Sequence, residues 1–293
     1  MDIKRLLSGA LAAALLVLPG CHRAEPEPVD PHAGMVEVPY GSEGYVWVRD
    51  QKGVALNEFT AADFAVEDGI ARYSGPYGSK IGVDVSEHQL DIDWQQVKEA
   101  GIDFAIIRAG YRGATQGSLN TDPYFRQNIQ GALDAGLEVG AYIFSQATSR
   151  AEAVAEANYL IALLEDHKDQ ITMPVVFDWE IPAMDDARTK PLDGDSAVTE
   201  FAAAFCGAIA REGYTPGVYM NRHVGYSQYD LIALADCLLW FSAPGAGWSD
   251  FYYRHSMWQY TFEGEVPGIP TAVDMNLYIE LPPPATPTPE PAE

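Results

Sequence analysis

The chain has 293 residues, enough for one large domain or two ordinary ones, and its 47% hydrophobic and 11% aromatic content can fill a substantial core. Against 18 Lys and Arg stand 42 Asp and Glu, a formal charge of −24. Such an excess repels phosphates, which excludes nucleic acid as a partner, and it keeps the chain in solution.

Lys4 and Arg5 precede an apolar run from Leu6 to Leu18. The run is too short to span a bilayer and has the layout of an export signal, residues 1–20. It ends in "LPGC", residues 18–21, which resembles the lipobox of bacterial lipoproteins. Leu18, Gly20 and Cys21 fit that pattern; Pro19 departs from it. The resemblance implies cleavage before Cys21 and lipid on its sulfur. The mature protein is then an exported, membrane-anchored lipoprotein facing the cell wall, or a secreted one if Cys21 stays bare. Residues 22–34, rich in Pro and acid, complete a lipidated, disordered tether over 21–34.

Residues 35–80 are expected to be an extension packed on the main domain, too short to stand alone. "MVEVPY" and "GYVWVRD" alternate well enough for two short strands. "NEFTAADFAVEDG", residues 57–69, reads as one short helix or a turn.

From residue 81 short apolar runs alternate with helical stretches. The runs are "IGVDVS" (81–86), "FAIIRAG" (104–110), "EVGAYIFS" (138–145), "PVVFDWE" (174–180), "PGVYMN" (216–221), "LLWFSA" (238–243), "SMWQY" (256–260) and "AVDMNLY" (272–278). Helices are predicted over 91–101, 121–136, 149–167, 196–213 and 227–236. Gly101 and Gly136 supply C-terminal stops, and Ser149 with Glu152 supplies a capping box. Repeated strand–helix–strand units imply parallel strands with right-handed crossovers. Eight strands in residues 81–280 predict an α/β fold, an irregular TIM-like (β/α) barrel with about five helices and the late ones missing. The Pro-rich tail 281–293 has no fold of its own.

Side chains on a strand alternate between faces, so Val176, Asp178 and Glu180 share one face while Val175, Phe177 and Trp179 share the other. The two acids have Cα atoms about 6–7 Å apart and look into one cleft at a strand end, where barrels gather their functional groups. Like charges so close raise the pKa of at least one carboxyl, the state a general acid needs. Asp84 lies in the first run and Asp274 in the last. In a closed barrel these runs are neighbours, so the two acids either join the cleft or serve as loop caps for backbone N–H groups.

In these motifs the chain resembles the glycoside hydrolase family 25 lysozymes, the N-acetylmuramidases. The resemblance rests on "GVDVSEHQLDIDWQQVKEAGIDFAIIRAGY" (82–111), "DPYFRQNIQGALDAGLEVGAYIF" (122–144), "PVVFDWE", "GYTPGVYMN" (213–221), "LLWFSA" and "MWQYTFEGEVPGIPTAVDMNLY" (257–278). It implies hydrolysis of the β-1,4 bond between N-acetylmuramic acid and N-acetylglucosamine, with peptidoglycan glycan strands as the partner. Glu180 then matches the general acid/base. Asp178 matches its partner, as charge stabiliser or as orienter of the substrate N-acetyl group. Asp84 and Asp274 match acids that tune charge and position the sugar. His88, Gln89 and Leu90, Ile143 and Trp179 depart from the family pattern, with altered substrate fit as the expected consequence.

Tyr111, Tyr142, Tyr219, Trp240 and Trp258 lie near strand ends and are candidates to stack on sugar or to fill core. Arg108 is a candidate for a lactyl or peptide carboxylate, or for a structural ion pair. His223 and His255 have no assigned role, and Cys206 and Cys237 read as two buried thiols. No cysteine or histidine spacing suggests a zinc site, and no cofactor or metal is implied. A monomer is expected, with the lipid on Cys21 doing the targeting, since no wall-binding repeat is visible. Two other readings stay open: a metal-dependent phosphodiester hydrolase on the same barrel, and a wall-binding lipoprotein without chemistry.

Overall fold

The computed structural model describes residues 30–283. The expected signal segment, Cys21, the tether through residue 29 and the tail from residue 284 lie outside the described residues.

Two hairpins precede the barrel. β1 (Met35–Pro39) pairs antiparallel with β2 (Tyr45–Arg49), and β3 (Phe64–Glu67) with β4 (Ile70–Tyr73). The first pair coincides with the two alternating runs. The second replaces the single helix or turn expected over 57–69. Its turn is Asp68-Gly69, at φ of 50° and 78°. Positive φ at both central residues matches the twist of the flanking strands, and Asp-Gly is the dipeptide that adopts it most readily. The helical pattern survives only as one 3-10 turn, Ala61–Asp63, held by a reciprocal Thr60–Asp63 cap.

The main sheet consists of β5 (Ser79–Val85), β6 (Phe104–Arg112), β7 (Leu119–Thr121), β8 (Glu138–Ser145), β9 (Ile171–Trp179), β10 (Pro216–Asn221), β11 (Leu238–Ser242), β12 (Met257–Gly264) and β13 (Val273–Ile279). Its order is β5-β13-β12-β11-β10-β9-β8-β6, closed by pairing of β5 with β6. Eight strands thus form the expected irregular α/β barrel. The short β7 is an unanticipated antiparallel flap on β6. β13 also departs from the parallel rule, running antiparallel to both β12 and β5. Only residues 265–272 join it to β12, whereas a parallel crossover needs about a dozen residues or more. A short loop can only turn the chain back.

Four helices stand where the pattern puts them, with shorter ends: α1 (Trp94–Glu99), α2 (Phe125–Asp134), α3 (Arg150–Leu164) and α4 (Ala197–Arg211). Gly136, at φ 76°, follows α2 in the left-handed conformation that closes a helix without a Cβ clash. The capping box at α3 is half built. Ser149 accepts from the Glu152 N–H, but the Glu152 carboxylate accepts from Thr148 N instead of reaching back to Ser149.

The fifth helix, expected over 227–236, is displaced. α5 is Arg222–Ser227, started by the Asn221 side chain accepting from Val224 N, and residues 228–236 form turns. Side chains from elsewhere satisfy that backbone. Thr199 bonds Gln228 O and Asp230 N, while Gln51 bonds Tyr229 O and Leu231 N. With its polar groups met, the segment has no need of a helical ladder.

Two apolar layers result. Phe104, Ile106, Met173, Val176 and Met257 fill the barrel interior together with Tyr219 and Trp240. A larger layer lies between strands and helices. At the N-terminal end of the barrel, Lys80 bridges Glu138 and Glu280 at 2.9 and 3.0 Å. Cys206 is buried in α4, while Cys237 beside it is only half-buried, so one of the two expected buried thiols is partly exposed. Both thiols are free. Among the described residues no helix is long and apolar enough to cross a membrane.

A buried ion pair ties strand to helix. Arg112 Nε donates to Glu156 at 2.6 Å, and the guanidinium also reaches Gly117 O and Glu152 O. Ser145 Oγ donates to the second Glu156 oxygen at 2.6 Å. Burial pushes the Glu156 carboxyl up, while Ser145 and Arg112 hold it down. Removing one partner of such a pair leaves an uncompensated charge and costs about 3–5 kcal/mol. Glu156→Ala is therefore expected to lower unfolding free energy by about 3 kcal/mol in urea denaturation; a loss under about 1 kcal/mol would contradict this reading.

Candidate active site

Strand register decides what faces the barrel interior. Val176 lies in the interior layer, and Val175, Phe177 and Trp179 in the outer one. Asp178, two residues beyond Val176, is in register with Tyr219 on β10 and Phe144 on β8. Glu180 follows one residue past the end of β9. Its backbone carbonyl accepts from Gln146 Nε2 at 2.7 Å and from Thr189 Oγ1 at 3.4 Å, and Thr189 also donates to Gln146 Oε1 at 2.9 Å. Gln146 and Thr189 are fully buried, so the segment that aims Glu180 is pinned from behind.

The reversed β13 brings Asp274 directly opposite Asp84. One side chain spans both acids: Gln259 Nε2 donates to Asp84 Oδ2 at 2.9 Å and to Asp274 Oδ2 at 3.0 Å. Asn276 Nδ2 adds a bond to Asp84 Oδ2 at 2.8 Å. The two amides are themselves oriented. Tyr219 OH donates to Gln259 Oε1, and Trp240 Nε1 to Asn276 Oδ1, each at 2.8 Å.

All four carboxyls sit above their ordinary range. Burial raises Asp84 to about 6 against the donations from Asn276 and Gln259. Burial, then the charges of Asp84 and Glu180, raise Asp274 to about 8. Asp178 is driven up by burial, by Glu180 and by Asp84, and Glu180 by burial and by Asp84. The Asp178 and Glu180 carboxyls perturb each other's titration. The pair therefore holds a proton to higher pH than a lone carboxyl would, and Glu180, the more exposed of the two, is placed to hand it outward. Asp178 Oδ1 is buried and receives no bond from any amide, hydroxyl or backbone N–H.

The aromatic candidates divide. Tyr142 and Tyr111 are half-buried at the rim. A β-bulge at Ala109 in β6 lets Arg108 and Tyr111 both follow the interior register, opposite Tyr142 and Phe144. Tyr219 and Trp240 do face the barrel, but they are buried and serve as donors to the amides rather than as open platforms. Trp258 is a correction. It faces outward, 5.5 Å from the Phe64 ring of the extension, and its neighbour Gln259 takes the inward position. Arg108 takes the ion-pair role, bonding Asp122 at 2.7 Å and Glu87 at 2.9 Å beside the Tyr111 ring. Ile143 and Trp179 lie in the outer layer, and Trp179 donates to Ala147 O, so these departures from the family pattern do not reach the cleft. His255 is buried away from the acids and bonded to Ser249, and burial lowers its pKa to about 4; His223 pairs with Asp193. Gln259, Asn276, Gln146 and Thr189 had no role in the sequence reading.

Among the described residues no group of three or more His, Cys, Asp or Glu has the geometry to hold a metal ion. A barrel rim carrying two neighbouring carboxyls, with two more in their field, has the apparatus of an acid/base hydrolase of glycosidic bonds. The chain belongs to the glycosyl hydrolases family 25, whose model matches residues 83–269, and it is a glycoside hydrolase. It is similar to lysozyme M1 of Streptomyces globisporus, 26% identical over 220 residues that cover 67% of each chain. It is likewise 26% identical over 200 residues to the autolytic lysozyme of Clostridium acetobutylicum, covering 68% of this chain and 56% of that one. In structure it resembles a family 25 glycosyl hydrolase from Bacillus anthracis, with a TM-score of 0.56 and 25% identity over 69% of this chain and 89% of that one.

The raised carboxyls set a pH dependence of stability. Each folded-state pKa lies above the ordinary value of 3.8, so the stabilisation is fully present below that pH and is lost as pH rises through about 6 for Asp84 and about 8 for Asp274. The Tm of the ligand-free protein is expected to fall between those limits. Asp274→Asn should raise Tm at the alkaline end and flatten the fall. Calorimetry across pH checks this, and an unchanged slope in the variant would count against the cluster's electrostatics.

Proposed function

We propose that this protein is a peptidoglycan muramidase, hydrolysing the β-1,4 bond between N-acetylmuramic acid and N-acetylglucosamine with Glu180 as general acid/base. The observation that carries the reading is the placement of Asp178 and Glu180 two residues apart at a buried rim, where burial and neighbouring charge hold both carboxyls above their ordinary range. Glu180 protonates the leaving oxygen and then takes a proton from the incoming water. Asp84, held by Gln259 and Asn276, keeps negative charge beside the pair above about pH 6, while Asp274 on the other side of Gln259 holds its proton to about pH 8.

The substrate-assisted route suits two acids at the end of one strand, with Asp178 accepting from the substrate N-acetyl N–H as that group's oxygen attacks C1 and Glu180 protonating the leaving oxygen.

One assay tests this: mature protein on insoluble peptidoglycan, with mass analysis of the new reducing ends. N-acetylmuramic acid is expected at those ends, with the rate unchanged by EDTA. De-N-acetylated glycan should resist cleavage, and Glu180→Gln should lose about 10³-fold in kcat while keeping its Tm. Loss of activity in EDTA would favour the phosphodiesterase alternative, and no turnover by the parent chain the non-catalytic one.

The same reading places the protein outside the cytoplasm as a monomer held by lipid on Cys21, through the "LPGC" motif and the signal-like run before it. Cys21→Ser protein is expected in the soluble fraction after cell lysis; a variant that still pellets with membranes would refute the anchor.

A further inference from the structure

The rim of the barrel does not end at the acids. Beyond β10 and β11 an open groove of about 870 Å³ is lined by Tyr40 and Tyr45 of the first hairpin, by Asn221 and Ser242 at two strand ends, and by Trp248. It adjoins the catalytic rim. Ser242 is in register with Gln259, which bridges Asp84 and Asp274, and Asn221 is in register with Ser242. Its volume falls in the range of small-molecule sites, about 300–1,000 Å³.

The chemistry of the walls selects the ligand. Tyr45 is 68% exposed, a large ring face left to solvent. Arg222 and Asp250, which also line the groove, neutralise each other at 2.6 Å with side chains only 12% and 11% exposed. His223 is likewise paired with Asp193. What remains free on the walls is aromatic surface and neutral hydrogen-bonding groups, which suit a pyranose ring and its hydroxyls better than a carboxylate. The hairpin is rigidly placed, since Arg222 Nη1 donates to Pro39 O at 3.0 Å and the Tyr40 ring lies 6.3 Å from Tyr226. It also lies outside the family match, which begins at residue 83.

We infer that the groove is an additional saccharide subsite, built jointly by the N-terminal hairpin and the β11–β12 loop, that takes N-acetylhexosamine units of the glycan strand distal to the scissile bond. This rests on the muramidase reading. It makes the extension part of the substrate cleft rather than packing alone, and it predicts a preference for long glycan over short fragments.

The test compares full mature protein with Tyr45→Ala and Tyr45→Trp on soluble glycan strands of many disaccharides and on the shortest fragment that is cleaved. Tyr45 is exposed, so neither change should move Tm. Tyr45→Ala is expected to raise KM on long strands about fivefold, with kcat and the short-fragment KM unchanged, and Tyr45→Trp to restore the parent value. Equal losses on both substrates, or no change on either, would overturn the subsite while leaving the muramidase reading intact. Absence of turnover by the parent protein on both substrates would overturn the two together.

Discussion

Four carboxyl groups that would repel one another in water are held at one rim of a barrel whose interior is apolar, and much of the site's construction answers to that. Burial pushes every one of them upward, and the charge of neighbouring acids adds to this at Asp178, Glu180 and Asp274. Two amides offset part of the cost. Gln259 donates to two acids at once, and Asn276 shares one of them. Amides so placed must not rotate, because a flipped amide would present oxygen to a carboxylate. The Tyr219 hydroxyl and the Trp240 indole prevent this by donating to the amide oxygens. Two large aromatic side chains are thereby committed to orientation and withdrawn from contact with substrate.

Much of this could be read from residue order alone. Period-two alternation places Asp178 and Glu180 on one face of β9, and barrel closure brings the first and last strands together. Individual side chains off the acidic motif were harder to place. In "MWQY" the eye goes to Trp258, yet the register of β12 turns Trp258 outward and Gln259 inward. The sign available in the sequence was parity with Asp274 and Asn276 on the facing strand, but parity across an antiparallel pair is useful only once the strand is known to reverse. Arg108 and Tyr111, an odd number of residues apart, share a face only because β6 carries a bulge. No local pattern announces that extra residue.

The displaced fifth helix and the second hairpin have a common cause. Local pattern favoured a helix over 227–236 and a helix or a turn over 57–69, and partners distant in sequence decided the outcome. Gln51 and Thr199 satisfy the backbone over 228–231, and the Phe64 ring of β3 packs on Trp258 of the barrel. The extension is therefore woven into the barrel's surface as well as standing beside its cleft. Gln51 reaches residues just before β11, and Asn57 bonds the backbone at Ser249 and Phe251 in the loop after it. The segment upstream of the family match thus shapes the loops that follow β10 and β11, on the side where the aromatic groove opens.

The electrostatic strain among the rim carboxyls bears on the reaction. Glycosidic bonds break through transition states in which positive charge builds on the sugar ring. A cluster of carboxyls that is unfavourable to itself is favourable to such a charge, and most so where apolar walls keep water out and the field is strong. The repulsion present in the free protein is then relieved as the reaction proceeds, which is differential binding of the transition state rather than of the substrate. This requires the acids to be fixed before substrate arrives, because a flexible cluster would relax by turning its carboxyls to solvent. The buried Gln146 and Thr189 behind Glu180, and the two amides beside Asp84, supply that rigidity. They touch no reacting atom, and their contribution lies in preventing the acids from escaping one another.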